Sequence, residues 1–328
     1  MQRTFLITGG AGFIGSHLAA RLLEDGHRVV VLDNLSTGRL RNLDRIAAAY
    51  PDFRFVQGSV LDELMVDELV HECEVIVHLA AAVGVRLIIE QPLRSFTTNI
   101  RGSEVVVEAA HRYRRRILLA STSEIYGKNA DVPLRETADR VLGSTAVARW
   151  AYSTAKAVDE ILSFTYHRER GLASTVVRLF NTVGPRQSPA YGMVIPRLVR
   201  QALADEPLTV FGDGLQTRCF CHVTDVVEAF SQLVDVPASH GEVFNVGSTE
   251  EISVLDLAQR IIQQTGSSSS IRFIPYEEAY KIGFEDMPRR VPDTSKLHEL
   301  VGWKPTFDLD QILDEVIAEA LAEGATGP

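Results

Sequence analysis

A tyrosine and a lysine stand one helical turn apart in the segment YSTAK, at Tyr152 and Lys156. Residues at this spacing share one face of a helix, so the ammonium group is expected beside the phenol. A phenol has a pKa of about 10 and is a poor base at neutral pH, but a neighbouring positive charge lowers that pKa. The pair therefore predicts a base that removes a proton from a hydroxyl group during hydride transfer.

A second group of reactive side chains lies in the segment LLASTSEIYG, residues 118–127. The apolar residues indicate a buried strand, and Ser121, Thr122, Ser123 and Glu124 follow at its end. Thr122 or Ser123 is positioned to hydrogen-bond the hydroxyl that is oxidised. Because oxidation itself does not need an extra carboxylate, Glu124 points to a further chemical step.

The segment GGAGFIG places Gly9, Gly12 and Gly15 three residues apart, between a predicted strand and a helix that starts near Phe13. Glycines allow a tight turn, and the start of the helix favours the diphosphate of a dinucleotide. A second strand ends in Asp33, whose carboxylate is expected to accept hydrogen bonds from the adenosine ribose and to repel a 2′-phosphate. The context predicts NAD rather than NADP as the cofactor.

These motifs lie on alternating strands and helices. The segments TFLIT, RVVVLD, FRFVQG, VIVHLA, RILLAS and TVVRLF each read as a strand buried on both faces. Residues 15–25, 95–113 and 150–170 between them show apolar positions at helical spacing. The fold class is therefore α/β, a Rossmann-type doubly wound parallel sheet with a smaller C-terminal α/β substrate lobe.

The character of the sequence changes after residue 184, where a loop precedes a helix at about 194–204 and the strands LTVFG and FNVG. We assign residues 1–184 to an NAD-binding Rossmann domain to which residues 212–248 return. Residues 185–328 are assigned mainly to a second lobe, which is expected to bind the substrate.

Composition and charge exclude several classes of protein. The chain of 328 residues is 45% hydrophobic and 23% charged, as globular proteins are, and its net charge of −10 argues against a nucleic-acid surface. No apolar run is long enough for a membrane helix. Three cysteines and an N-terminus without a signal-like segment predict a cytoplasmic protein. Cys219 and Cys221 have no second ligand pair at zinc spacing, so no metal is expected.

The sequence resembles the extended short-chain dehydrogenases/reductases, in the NAD-dependent sugar-nucleotide epimerase, dehydratase and decarboxylase group. The matching segments span nearly the whole chain: ITGGAGFIGSHL, VVVLDNLSTG, VIVHLAA, STSEIYG, YSTAK, RLFNTVGPRQ, PLTVFGDGLQTRCF, HVTDV, FNVG and RRVPDTSK. The resemblance implies an enzyme that acts on a UDP-sugar and oxidises carbon 4 of the sugar. It also implies a homodimer that pairs the helices at 95–113 and 150–170.

The resemblance implies the site residues as well. The cofactor is expected to contact Gly9, Gly12, Phe13, Ile14, Gly15, Asp33, Asn34, Leu79, Ala80, Ala81, Asn99, Tyr152 and Lys156. The substrate is expected to contact Arg86, Asn181, Arg186, Phe211, Arg218 and Arg290. The catalytic set is Thr122, Ser123, Glu124, Tyr152, Lys156 and Arg290.

Glu124 separates the reactions that this group of enzymes performs. A simple 4-epimerase usually has a small residue there, and a 4,6-dehydratase has Asp-Glu where this chain has Ser123-Glu124. UDP-glucuronate decarboxylases have Thr-Ser-Glu, as this chain does, and Arg290 is the expected partner of Glu124 in that step. A UDP-sugar 4-epimerase is the alternative, because the segment around Arg86 is largely apolar where some decarboxylases have a tyrosine. A non-enzymatic NAD sensor of the same fold is disfavoured by the intact Tyr152–Lys156 pair.

Overall fold

A computed structural model describes residues 1–83, 91–147, 149–188, 193–275, 278 and 287–325. The strands are β1 (Thr4–Thr8), β2 (Arg28–Asp33), β3 (Phe53–Gln57), β4 (Val75–His78), β5 (Arg116–Thr122), β6 (Ser174–Leu179), β7 (Thr182–Val183), β8 (Leu208–Phe211), β9 (Thr217–Cys219), β10 (Cys221–His222), β11 (Val243–Val246), β12 (Glu251–Ser253) and β13 (Ile271–Ile274). The first six coincide with the six predicted strand segments.

The α-helices connect these strands. They are α1 (Phe13–Glu24), α2 (Asp44–Ala49), α3 (Glu63–Glu72), α4 (Pro92–Phe96), α5 (Gly102–Arg112), α6 (Arg149–Arg170), α7 (Val194–Leu203), α8 (Val223–Leu233), α9 (Val254–Thr265), α10 (Ser295–Val301) and α11 (Leu309–Ala325). The helix predicted over 95–113 is interrupted, since Thr97–Arg101 forms a π-helical turn between α4 and α5. A π-turn of this kind is frequent next to functional sites.

The central sheet has seven strands in the order β3-β2-β1-β4-β5-β6-β11, and all of them are parallel. The α/β fold class is confirmed. The chain reverses its winding direction between β1 and β4, which are neighbours in the sheet. In open parallel sheets of this kind, ligands bind beyond the carboxyl ends of the strands at that reversal.

Helices cover both faces of the sheet. Leu18 of α1 and Phe230 of α8 belong to the hydrophobic cluster on one face, and Val66 of α3 and Val106 of α5 belong to the cluster on the other. A strand buried on both faces cannot alternate polar and apolar residues, which explains the continuous apolar runs in the sequence.

The C-terminal third builds a separate hydrophobic cluster. Leu198 of α7, Val210 of β8, Leu257 of α9 and Ile312 of α11 meet there. β8 pairs with β13, and β9 pairs with β12. β11 leaves this region and extends the central sheet beside β6, within the range 212–248 expected to return to the first domain. The boundaries of the two units remain a prediction.

In the part of the chain that the structure describes, no helix combines the length and the apolar composition that crossing a membrane requires.

Asp225 joins α8 to the segment that leads into α11. Its carboxylate, 3% exposed, accepts hydrogen bonds from the backbone of Thr306 at 3.0 Å and of Phe307 at 3.2 Å, and from the Thr306 hydroxyl at 2.6 Å. Its carbonyl oxygen accepts from the indole of Trp303 at 2.9 Å. Several donors would therefore lose their acceptor if this carboxylate were removed.

We predict that Asp225→Ala lowers the free energy of unfolding by about 2–4 kcal/mol, because each unsatisfied buried donor costs about 1–3 kcal/mol. Thermal unfolding followed by circular dichroism measures the change. Asp44→Ala, at an exposed position in the first turn of α2, is the control and should cost less than about 1 kcal/mol. Equal effects of the two substitutions would contradict the assignment.

Candidate active site

A cleft of about 500 Å³ runs along the carboxyl ends of the central strands and continues to the C-terminal lobe. Its lining includes nearly all of the predicted site residues, which come from distant parts of the sequence. These are Gly9, Gly12, Phe13, Ile14, Gly15, Asp33, Asn34, Leu79, Ala80, Ala81, Thr122, Ser123, Glu124, Tyr152, Lys156, Asn181, Arg186, Phe211, Arg218 and Arg290. The structure thus brings the three predicted sets to one site.

Two predicted residues do not stand in this lining. Arg86 lies outside the described residues. Asn99 is fully buried in the π-turn, where its side-chain oxygen accepts the backbone N–H of Ala82 at 2.7 Å and its amide nitrogen donates to the carbonyl of the same residue at 3.3 Å. Asn99 therefore does not face the cleft. It holds the loop after β4 from behind, and that loop carries Ala80 and Ala81 into the cleft.

The glycine turn is packed too tightly for side chains. Gly9 has a φ of +74°, and a Cβ on it would lie 2.8 Å from the backbone nitrogen of Ala80. A Cβ on Gly15 would lie 2.5 Å from the carbonyl oxygen of Gly9. Gly12 is the N-cap residue of α1, and no described side chain makes a capping hydrogen bond there. The first backbone N–H groups of the helix are therefore not used by such a capping side chain. These features fit a diphosphate at the start of α1.

Asp33 ends β2 and is 7% exposed. Its two carboxylate oxygens accept the backbone N–H groups of Ala11 at 3.0 Å and Leu35 at 2.7 Å. Burial raises the pKa of Asp33, and the two backbone hydrogen bonds oppose that rise. The side chain is thus held rigidly at this end of the cleft, and its remaining lone pairs could accept hydrogen bonds from ribose hydroxyls.

Tyr152 and Lys156 lie on α6, and both are buried beside the cleft. The Lys156 ammonium donates to the carboxylate of Asp159 at 3.1 Å. Burial raises the pKa of Tyr152, and the charges of Glu124 and Asp159 raise it further. In the protein by itself, the phenol is therefore made less acidic. This differs from the expected lowering by Lys156, because burial is the largest cause of the rise and the two carboxylates add to it.

A buried hydrogen-bonded chain stands behind this pair. His78, at the end of β4, contacts the Thr8 hydroxyl at 2.8 Å and the Ser103 hydroxyl at 3.1 Å. Burial and the charge of Lys156 lower the pKa of His78 to about 3. The imidazole is neutral, and it links β1, β4 and α5 beside α6.

The turn Ser123–Tyr126 begins where β5 ends. The Thr122 hydroxyl accepts the backbone N–H of Glu124 at 3.2 Å, which starts this turn. Arg290 arrives from the C-terminal part of the chain, and its Nη1 lies 3.9 Å from the Glu124 carboxylate and 3.4 Å from the Ser123 hydroxyl. The predicted partners Glu124 and Arg290 are therefore neighbours in the cleft.

A buried ion pair supports this turn from below. Arg178 of β6 makes two parallel hydrogen bonds to the Glu160 carboxylate, at 2.9 and 2.8 Å. The Ser121 hydroxyl also donates to Glu160 at 2.6 Å, and Arg178 donates to the Tyr126 hydroxyl at 3.0 Å. The network connects α6, which carries Tyr152, to the turn that carries Glu124.

Arginines supply the positive charge of the cleft in this acidic protein. Arg218 donates to the carbonyls of Thr217 and Met287 at 2.7 and 2.9 Å, and so it ties β9 to the segment that carries Arg290. Arg186 donates to the Ser16 hydroxyl of α1 at 3.2 Å. That contact places Arg186 beside α1, and its assignment to the substrate stays a prediction.

Asp159, Glu160 and Arg197 were not foreseen from the sequence. Asp159 and Glu160 follow Lys156 at helical spacing, and that spacing is a signal that could have identified them. Arg197 lies 4.5 Å from the ring centroid of Phe211 and donates to the carbonyl of Thr209 at 2.7 Å. Nothing in the sequence pattern singles it out.

Comparison with known proteins gives consistent matches over almost the full chain. The family model described as GDP-mannose 4,6 dehydratase matches residues 6–316. UDP-N-acetyl-alpha-D-glucosaminuronate decarboxylase of Bacillus cytotoxicus is 41% identical over 97% of this chain and 97% of its own length. UDP-glucuronic acid decarboxylase 1 of Danio rerio is 35% identical over 96% of this chain and 72% of its own length.

Solved structures with the same fold include epimerases. UDP-glucose 4-epimerase of Thermotoga maritima, solved with UDP-glucose, has a TM-score of 0.87 and 32% identity, and the match covers 98% of this chain and 99% of that one. UDP-glucuronic acid 4-epimerase of Bacillus cereus, in complex with UDP-glucuronic acid and NAD, has a TM-score of 0.87 and 28% identity over 98% and 99% of the two chains.

We predict that Asp33→Asn weakens NAD binding by roughly tenfold or more, since a hydrogen bond to a charged group contributes about 1.5–3 kcal/mol. Binding of NADP should weaken much less, because the carboxylate no longer repels its 2′-phosphate. Titration calorimetry with both dinucleotides measures the ratio of the two affinities. An unchanged ratio in a variant with wild-type thermal stability would show that Asp33 does not bind the ribose.

Proposed function

The chain belongs to the GDP-mannose 4,6-dehydratase-like family of extended short-chain dehydrogenases/reductases, and we propose that it is an NAD-dependent UDP-glucuronate decarboxylase. The resemblance drawn from the sequence motifs is thereby confirmed, as is the expectation of an enzyme. The observation that carries the decarboxylase proposal is the pairing of Glu124 and Arg290 in the cleft that also holds Tyr152. Two decarboxylases among the relatives support it.

NAD is the cofactor, in agreement with the NAD complexes of the related structures. In our proposal Gly9, Gly12 and Gly15 make room at the start of α1 for its diphosphate, and Asp33 binds the adenosine ribose. Bound NAD would supply the acceptor for a hydride from carbon 4 of the sugar. The residues of this chain perform the proton transfers and hold the sugar.

Tyr152 is proposed as the group that takes the proton of the 4-hydroxyl. Its phenol oxygen must be deprotonated to do so, and a positive charge in the closed site favours that form. Lys156 provides an ammonium one helical turn away on the same face of α6, and its hydrogen bond to Asp159 at 3.1 Å holds it in place. Thr122 and Ser123, at the end of β5, are proposed to hydrogen-bond the same substrate hydroxyl.

The decarboxylation step follows from the 4-ketone. A uronic acid oxidised at carbon 4 is a β-keto acid, so its C5–C6 bond breaks and the electron pair moves into the ketone to form an enolate as carbon dioxide leaves. We propose that Glu124 repels the substrate carboxylate. This repulsion prevents the substrate carboxylate from forming a stable ion pair with a cation such as Arg290. Arg290, beside Glu124, stabilises the enolate oxygen until solvent water supplies a proton to carbon 5. If the 4-keto product is then re-reduced at carbon 4 rather than released, the final product is UDP-xylose.

The nucleotide end of the substrate is proposed to occupy the C-terminal part of the cleft. Arg218 and Asn181 line it next to Phe211, and this combination of guanidinium, amide and aromatic ring suits a diphosphate and a base. The division into a Rossmann unit and a sugar-nucleotide lobe is part of this proposal. The relatives differ at carbon 2 of the sugar, so both UDP-glucuronate and its 2-acetamido analogue are to be tested.

A UDP-sugar 4-epimerase is the second candidate. The specific observation in its favour is the match to two epimerase structures at TM-scores of 0.87. An epimerase returns the hydride to the other face of the ketone and releases no carbon dioxide. Incubation of the purified protein with each uronate, followed by mass spectrometry of the products and of carbon dioxide, separates the two reactions.

We predict that Glu124→Ser slows carbon dioxide release by roughly 10²–10⁴, the range for a positioned acid or base. Oxidation of carbon 4 should survive with modest loss, because Tyr152 and Lys156 are intact. NADH absorbance and a 4-keto uronate should therefore accumulate. Tyr152→Phe is the matched control and should abolish both signals. Undiminished carbon dioxide release from the Glu124 variant would reject the role of this carboxylate.

We also propose that the protein is a homodimer. Apolar side chains stand exposed on two neighbouring helices, with Leu93 of α4 81% exposed and Ile161 of α6 61% exposed. Val158 lies one turn before Ile161 on α6 and is also exposed. A second copy that packed the same surface of its own α4 and α6 here would remove these side chains from water.

Light scattering at micromolar concentration should give twice the chain mass of 36.2 kDa. Ile161→Arg should shift the mass toward one chain, because a charge would be buried without a partner at the interface. Leu64→Arg is the control, since Leu64 is equally apolar and 79% exposed but lies on α3. A wild-type monomer, or a dimer unaffected by the α6 substitution, would contradict this interface.

A cytoplasmic location is proposed as well. The structure describes Cys73, Cys219 and Cys221 as free and buried. Reduced thiols of this kind suit a reducing compartment.

A further inference from the structure

The loop after β7 contains a non-glycine residue in a strained conformation. Arg186 has a φ of +69°, in the left-handed region that costs an L-residue roughly 1–2 kcal/mol. Such residues persist only where the surrounding structure fixes them, and they concentrate at functional sites. Arg186 also lines the cleft, so the cause of its conformation bears on function.

A glutamate from the C-terminal helix fixes this residue. The two carboxylate oxygens of Glu319, on α11, accept the backbone N–H of Arg186 at 2.6 and 2.8 Å. Glu319 is partly buried; burial raises its pKa, and the hydrogen bond from Arg186 opposes the rise. A charged acceptor gives a hydrogen bond roughly twice as strong as a neutral one. This contact can offset the backbone strain.

The side chain of Arg186 is aimed at the cofactor helix. Its Nη1 donates to the hydroxyl of Ser16 at 3.2 Å, and that hydroxyl donates to the carbonyl of Phe13 at 3.0 Å. Phe13 and Gly12 form the start of α1 and line the same cleft as Arg186. The guanidinium therefore lies beside the helix terminus where a dinucleotide diphosphate is expected.

We propose that Glu319 is a positioning residue of the cofactor site, which holds Arg186 in its left-handed conformation so that the guanidinium binds the cofactor diphosphate. The C-terminal helix, which belongs to the substrate lobe, thereby forms part of the NAD site. The inference rests on NAD binding in the proposed function and not on decarboxylation. It also moves Arg186 from the predicted substrate set to the cofactor.

A neighbouring residue provides a matched control. Glu323 lies one turn further along α11 and forms ion pairs with Arg41 at 2.5 Å and Arg200 at 2.8 Å. It carries the same charge as Glu319 and lies on the same helix, but its two arginine partners are not among the described residues that line the cleft. Replacement of Glu323 therefore tests whether loss of an ion pair elsewhere on α11 is enough to weaken cofactor binding.

The test measures binding of ADP-ribose, adenosine and UDP by calorimetry. ADP-ribose contains the cofactor diphosphate, adenosine lacks it, and UDP carries the substrate diphosphate. Glu319→Ala should weaken ADP-ribose binding by roughly 3- to 30-fold, as expected for coupled residues in contact, and leave adenosine binding unchanged. Glu323→Ala should change neither. Glu319→Gln retains one carbonyl acceptor and should lose less affinity than Glu319→Ala.

A double-mutant cycle separates positioning from general damage. Arg186→Ala should weaken ADP-ribose binding by itself, and adding Glu319→Ala should produce no further loss. Equal weakening of adenosine, a further loss in the Arg186→Ala background, or weakening of UDP instead of ADP-ribose would each overturn the proposal. If Glu319→Ala does not fold, unchanged ADP-ribose binding by Arg186→Ala overturns it independently. Carbon dioxide release is not measured, so failure of the decarboxylase assignment is a separate result.

Discussion

The geometry of the cleft depends on the buried ion pair between Arg178 and Glu160. Their side chains are 8% and 5% exposed, and an isolated charge in such a place would cost several kcal/mol. The two parallel hydrogen bonds join the pair, and further contacts complete each group. The Ser121 hydroxyl donates to Glu160, and Arg178 Nη1 donates to the Tyr126 hydroxyl. Because the charges tolerate little displacement, β5, β6 and α6 are held in one fixed relation. This fixed arrangement sets the position of Tyr152 relative to Glu124.

The network extends beyond this pair to the C-terminal part of the chain. The Tyr126 hydroxyl donates to Asn245 of β11 at 2.7 Å, and burial raises the pKa of Tyr126 to about 12. Asn245 in turn donates to the carbonyls of Leu134 and Asp293 at 2.8 and 3.1 Å. Since Asp293 follows Arg290 closely in the sequence, the same network positions the arginine that faces Glu124.

Acidic residues also determine how the positive charge of the site is distributed. Asp159 forms a buried ion pair with Lys156, and Glu319 fixes the backbone of Arg186. A protein with a net charge of −10 cannot attract an anionic ligand by its overall charge. Cations held in fixed positions along the cleft are therefore needed. Contacts with acidic side chains and carbonyls hold them there before a ligand arrives, so their side chains lose little conformational entropy when it binds.

The sequence by itself determined the parallel sheet, the glycine turn, Asp33, the Tyr152–Lys156 pair and the family. Those features depend on local order: apolar runs make buried strands, and motif residues lie next to one another along the chain. Asp159 lies within the same local range, but its effect on Tyr152 depends on both groups being buried. The family resemblance already implied that Arg290 partners Glu124, but only the tertiary structure decided that Asn99 supports the site from behind and that Glu319 holds Arg186. These contacts join residues far apart in sequence, and their strength comes from exclusion of water, which no spacing along the chain records.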